Sequence, residues 1–201
     1  MDAITLLQND HKKVEALFAR FEKLTPRAVK TMRDLNEQII HELAVHAAIE
    51  EQVFYPAVRE CVPEADFNVL ESLEEHHAVK WTLSELDGMD PEHERFRAKM
   101  MVLIESVRHH VEEEEGEVFP QLQAEVAELL PRLGDLLQQR RSELKMAGGP
   151  APAVAPGNGA ATAPLLDLTK AELYQRAKAA DIPGRSSMNK EELAGTLARE
   201  G

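Results

Sequence analysis

Two stretches, HAAIEEQVFYP from His46 and HVEEEEGEVFP from His110, set out the same order: histidine, glutamate four residues later, then an aromatic residue followed by proline. On a helix, residues four apart lie about 40° apart around the axis and about 6 Å apart along it. His46 and Glu50 therefore share a face, as do His110 and Glu114. That face is the apolar one. Met32, Leu35, Ile39 and Leu43 run at three- and four-residue steps into His46 and Glu50, and Phe96, Met100, Leu103 and Val107 run likewise into His110 and Glu114. Two more stripes carry one histidine each: Ile4, Leu7, His11, Val14, Phe18, Phe21, and Val69, Leu73, His76, Val79, Leu83, Leu86. His11 and His46 are 35 residues apart and His76 and His110 are 34 apart, which makes the pattern a duplicated helical hairpin.

Breakers and short connections place helices over about 2–24, 27–58 and 64–86, with a fourth starting near Pro91 and a further helix over about 121–146 after Pro120. The expected fold is all-α, an antiparallel four-helix bundle plus an extra helix. Abundant Ala, Leu, Glu, Arg and Gln favour helix throughout, and no sheet of consequence is expected. Residues 147–164, AGGPAPAVAPGNGAATAP, carry no charge and read as a flexible linker. Over 165–201, LTKAEL and MNKEEL recur twenty residues apart, each opening with a capping box, Thr169 with Glu172 and Asn189 with Glu192. The tail therefore reads as two short helices around an IPGRSS turn.

A formal charge of −13 argues against a partner held mainly through phosphates. No basic leader precedes an apolar core at the N-terminus, and no apolar run approaches the roughly 20 residues that span a bilayer, so a cytoplasmic address without membrane contact is expected. Cys61 is the single cysteine, so an internal disulfide is excluded and a bound metal must take nitrogen and oxygen donors.

Four histidines and two glutamates turned inward at similar depth need compensation, because an isolated buried carboxylate is costly. A cation supplies it. Imidazole with carboxylate and no thiolate suits iron, manganese or zinc, and two carboxylates placed to bridge between histidine pairs suit a dinuclear centre with vacant positions.

His11, the HAAIE of the second helix, His76 and the HVEEE of the fourth resemble the hemerythrin-like HHE cation-binding family over roughly residues 1–145. The resemblance implies a four-helix bundle around a non-haem di-iron centre, with two iron ions held by His11, His46, Glu50, His76, His110 and Glu114. It also implies chemistry with dioxygen, nitric oxide or hydrogen peroxide. The oxygen-carrying hemerythrins use a fifth histidine, four residues from the one on the third helix; here Ser72 and Lys80 stand at the positions four away from His76. One nitrogen donor fewer argues against reversible oxygen carriage.

His41, His77, His93 and His109 lie off the stripes and read as solvated or behind the ligands, and Glu112, Glu113 and Glu115 read as a solvated acidic face. Tyr55 stands where the second repeat has Phe119. Nine residues after His46 on an ideal helix it points away from the site and packs at the helix end; a phenol beside the metals requires the helix to unwind before Pro56. The tail resembles the small N-terminal domain of transcription termination factor Rho and, more loosely, SAP-type modules. That implies contact with nucleic acid or a protein, although its six basic residues are balanced by six acidic ones. Two functions are consistent with these features. The first is a di-iron protein that consumes a small oxidant, above all hydrogen peroxide, in a catalase-like reaction. The second is a non-catalytic iron, oxygen or nitric oxide sensor that signals through the tail.

Overall fold

The computed structural model describes residues 1–147, so the linker beyond Ala147 and the Rho-like tail lie outside the described residues. Among the described residues the chain is helical throughout, and four long helices form the expected bundle: α1 (Ala3–Glu22), α2 (Val29–Ile49), α4 (Asp66–Leu86) and α5 (Phe96–Glu113). Short helices α3 (Tyr55–Cys61) and α6 (Phe119–Val126) prolong α2 and α5, and α7 (Leu130–Met146) is added at the end. None of these helices is long and apolar enough to cross a membrane.

Local chemistry explains the boundaries. Asp2 caps α1, accepting from the Thr5 backbone N–H at 2.9 Å and from the Thr5 hydroxyl at 2.7 Å. Gly88, at φ +70°, turns the chain after α4, a conformation other residues reach only with strain. The expected start of the fourth helix at Pro91 is corrected to Phe96. Asp90 accepts from the Glu92 N–H at 3.0 Å and His93 Nδ1 accepts from the Arg95 N–H at 3.1 Å, so side chains satisfy the backbone of this stretch in a turn.

The chain stays helical through Pro56, as expected, and on to Cys61, and it also stays helical through Pro120, where a boundary was expected. Each proline follows a π-helical segment, Glu50–Phe54 and Glu114–Val118, in which the hydrogen-bond ladder widens: Tyr55 donates to the Glu50 carbonyl and Phe119 to the Glu114 carbonyl. A proline that cannot donate is tolerated where the ladder changes register. The helix expected over 121–146 is likewise two pieces. The chain leaves α6 at Val126 (φ −138°), makes a 3₁₀ turn at Ala127–Leu129 and restarts as α7 with Pro131 in its first turn.

Two apolar clusters hold the bundle. One contains Leu6, Leu7, Ile49, Phe54, Val58, Val69, Phe119 and Leu137; the other contains Phe18, Phe21, Leu35, Ile39, Leu83, Leu86, Phe96 and Met100. Each helix carries its histidine between residues of the two clusters: His11 between Leu7 and Val14, His46 between Leu43 and Ile49, His76 between Val69 and Val79, His110 between Val107 and Val118. Burying one side chain such as Leu83 contributes about 1.5–3 kcal/mol, so two clusters of this size can carry a polar layer that costs several kcal/mol per ion. Helix α7 adds Leu130, Leu133, Leu137 and Leu144 to the first cluster. It crosses the start of α1 at Gly134, where any added Cβ would collide with the Met1 carbonyl oxygen, so only glycine permits that approach.

Candidate metal centre

All six residues that carry the sequence pattern are buried, Glu50 and Glu114 completely, and their polar atoms gather in two groups. The first group is His11, His46, Glu50 and Glu114; the second is Glu50, His76 and His110. In the first, the Nε2 atoms of His11 and His46 are 3.2 Å apart, and His46 Nε2 is 3.1 Å from Glu50 Oε1. In the second, the Nε2 atoms of His76 and His110 are also 3.2 Å apart, and His76 Nε2 is 3.4 Å from Glu50 Oε2. Glu50 thus turns one oxygen to each pair. Glu114 also faces both, its Oε2 lying 3.5 Å from His11 Nε2 and 3.7 Å from His110 Nε2.

Histidine Nε2 lone pairs that converge on carboxylate oxygens give an arrangement a cation completes and protein atoms do not. Both oxygens of Glu50 and Oε2 of Glu114 are buried without a hydrogen-bond partner, and each such atom costs about 1–3 kcal/mol when left unpaired. The donors are all nitrogen and oxygen, so hard or borderline divalent cations fit.

Electrostatics of the cation-free protein agree. Burial, reinforced by Glu114 and Asp10, pushes the Glu50 carboxyl well above its ordinary range. Burial also lowers His46 to about 4, and lowers His76, leaving both imidazoles neutral and free to donate lone pairs. Burial works against the charge of His11 as well, but Glu114 and Glu115 outweigh it and raise His11. A cation and protons therefore compete for Glu50 and His11.

Behind each histidine stands an acid at its Nδ1. Glu115 Oε1 lies 2.8 Å from His11, Glu51 Oε1 lies 3.1 Å from His76 and Glu75 Oε2 lies 2.8 Å from His110. Asp10 Oδ2 stands 3.5 Å from His46 Nδ1, within ion-pair range but too long for a good hydrogen bond. An acid in this position fixes the tautomer that leaves Nε2 free for a metal. The arrangement repeats with the hairpins. Asp10 and Glu75 serve the second histidine of their own hairpin, whereas Glu51 and Glu115 serve the first histidine of the other.

Glu115 is exposed as expected of a solvated acidic face, yet it also pairs with His11, a role the sequence did not show. His77, His93 and His109 are exposed and His41 is half-buried, and none of the four joins the buried groups. His109 does sit 3.2 Å from Glu113 and 4.0 Å from Glu75 at the surface.

Tyr55 lies elsewhere than on an ideal helix. Tyr55 is 1% exposed, its hydroxyl donates to Glu114 Oε1 at 3.0 Å, and the phenol oxygen is also 3.4 Å from His76 Nε2. The π segment supplies the missing rotation, because each wide turn holds more residues and delays Tyr55 around the axis. Phe119, its counterpart in the second repeat, stacks on the His11 ring at 5.9 Å. The two halves therefore differ chemically, with a phenol on one side and a phenyl on the other. A cavity of about 260 Å³ reaches the four histidines between walls that include Val14, Phe18, Leu43 and Val107, with Lys12 and Arg108 beside it. Small molecules have a route to the centre.

Comparison with known proteins agrees with this geometry. A family model described as the hemerythrin HHE cation binding domain matches residues 2–122. The chain is 29% identical over 119 residues to a DNA nickase of Nostoc sp. (strain PCC 7120), a match covering 59% of this chain and 33% of that protein. The chain thus spans about a third of the length of that relative. In fold it is similar to the crystal structure of a hemerythrin HHE cation binding domain-containing protein from Mycobacterium kansasii. The TM-score is 0.58 at 20% identity, with 73% of this chain and 91% of the other covered.

Proposed function

The chain belongs to the hemerythrin HHE cation-binding family, and from that premise we propose that its centre holds two iron ions and decomposes hydrogen peroxide. The observation that carries this reading is Glu50, whose two unpartnered oxygens face His46 on one side and His76 on the other. His11, His46, Glu50 and Glu114 would hold one ion, and His76 and His110 the other, with both glutamates shared. Two irons in reach of one another supply a pair of one-electron changes, which matches the two electrons exchanged when an O–O bond is cleaved. The overall conversion, two H₂O₂ giving O₂ and two H₂O, balances without an outside reductant.

The protein's own part is proton handling, orientation and access. Tyr55 stays protonated, since burial and the charges of Glu50 and Glu114 push its phenol well above its ordinary value. It holds Glu114 Oε1 by hydrogen bond and presents an O–H beside the space between the clusters. Glu115, Glu51 and Glu75 keep the imidazoles turned. The cavity admits small ligands, dioxygen and nitric oxide among them.

The test is oxygen evolution from peroxide by iron-loaded protein, with free iron at equal concentration as the baseline. Evolution above that baseline is expected; uptake of iron without it would remove the catalase-like reading and leave a cation-binding protein. A Tyr55→Phe variant should keep its iron, lose about 1 kcal/mol of stability with the lost hydrogen bond, and show an altered visible spectrum and a slower peroxide reaction. An unchanged spectrum and rate would confine Tyr55 to packing. A second reading, a sensor that passes the state of the centre to the C-terminal segment, is favoured by one feature: α7, the last described helix before that segment, touches the site.

A further inference from the structure

We propose that α7 is a coupling arm of the metal centre, in which Arg141 positions Asp10 behind His46 so that cation binding and docking of α7 strengthen one another. The inference rests on cation binding at His46, not on the peroxide chemistry.

Three observations carry it. Arg141, on α7, bonds Asp10 Oδ2, the same oxygen that faces His46 Nδ1, and both Arg141 and Asp10 are largely shielded, their side chains 15% and 17% exposed. Next, Arg141 lies outside residues 2–122 that match the family model, so this contact reaches the site from a helix beyond the matched domain. Finally, the arrangement has a counterpart inside that domain. Lys80 on α4 holds both oxygens of Glu51, at 2.7 and 2.8 Å, and Glu51 stands behind His76. Glu75 and Glu115 lack such a cation among the described pairs. Asp10 and Glu51 are thus the two acids anchored from behind, one from within the bundle and one from α7.

The physics runs through the tautomer of His46. To offer the Nε2 lone pair to a cation, the ring must carry its proton on Nδ1, and a buried N–H needs an acceptor. Asp10 is the acid placed for that role, its Oδ2 3.5 Å from Nδ1, and Arg141 holds that oxygen at the back of the ring. Without Arg141, Asp10 is free to turn to water and away from Nδ1. Linkage makes the effect reciprocal: if a docked α7 raises cation affinity, a bound cation raises the stability of α7 docking by the same factor. Gly134, which lets α7 sit against the start of α1, and the buried Leu137 and Leu144 make docking of this helix a unit event.

The test compares the full-length wild type with Arg141→Ala, Arg141→Lys, Asp10→Asn and, as a control on the exposed side of α7, Arg132→Ala. Two quantities are read: affinity for Fe(II) under anaerobic conditions, and amide hydrogen exchange over 137–146 with and without Fe(II). Removing groups that orient a metal-binding histidine typically costs 10–100-fold in affinity; one step further out, Arg141→Ala should cost about 3–10-fold, with Arg141→Lys between it and the wild type. Fe(II) should slow exchange over 137–146 in the wild type and in Arg132→Ala, and should do so no longer in Arg141→Ala. Asp10→Asn breaks the link from the bundle side and should also abolish the slowing, and exchange over 137–146 without Fe(II), equal to the wild type's, separates loss of coupling from loosening of the helix. Equal affinity in Arg141→Ala and Arg132→Ala, or exchange in the wild type that ignores Fe(II), would overturn the proposal. Fe(II) binding and coupling without peroxide decomposition would overturn only the catalase-like reading, and a wild type that binds no Fe(II) would overturn both.

Discussion

Replacing Glu50 by leucine is expected to raise the stability of the cation-free protein while abolishing cation uptake. The carboxyl is fully buried, neither of its oxygens has a hydrogen-bond partner, and its pKa is driven upward by burial and by Glu114. In the absence of a cation its desolvation weighs against the fold. A leucine of similar volume removes two unsatisfied atoms and joins Ile49 and Phe54, so a gain of about 1–3 kcal/mol is expected. The same change deletes the side chain that turns one oxygen to each histidine pair, leaving only Glu114 facing both, and added iron should leave the melting temperature where it was. Thermal unfolding with and without iron measures both effects at once. Glu50→Gln separates them further, because it also loses uptake but keeps a buried polar group and should gain little. A Glu50→Leu protein destabilised like a core truncation would mean that the glutamate supports the empty fold.

The second large effect concerns the histidines taken singly. His46 and His110 stand in different clusters that share Glu50, with Glu114 also 3.7 Å from His110, so removing either should depress binding at both positions. Either alanine variant should retain less than half of the wild-type iron and lose most of the stabilisation that iron confers. Ligand linkage puts that stabilisation at about 4 kcal/mol when free metal exceeds its dissociation constant a thousandfold. His77→Ala and His93→Ala, both at exposed positions, should bind iron as the wild type does. Iron content after desalting checks the contrast. Variants that each keep a full half of the iron would describe two independent sites.

The stripes made the bundle and the six inward residues legible because a helix repeats every 3.6 residues and a buried face must be apolar; one histidine per stripe then stands out. The acids behind the histidines were harder to read. Asp10, Glu51, Glu75 and Glu115 each adjoin one of the six in sequence, so on a helix they project about 100° away, where an acidic residue reads as solvated. The duplication held the signal: an acid precedes the lone histidine of each hairpin and another follows each glutamate. What hid Tyr55 was the π segment, since a period of 3.6 carried past Glu50 points the phenol outward. The proline after each aromatic residue is the trace that segment leaves, and it reads equally well as a stop. Arg141 had no pattern at all, because its link to Asp10 depends on how α7 crosses α1 at Gly134.

Counting bound iron most directly tests the account's central claim that the shared glutamates join two cation positions into one centre. Protein loaded anaerobically with excess Fe(II), desalted and measured for iron against chain concentration should hold close to two ions per chain. A value near one would contradict the dinuclear centre and leave Glu50 facing a single ion.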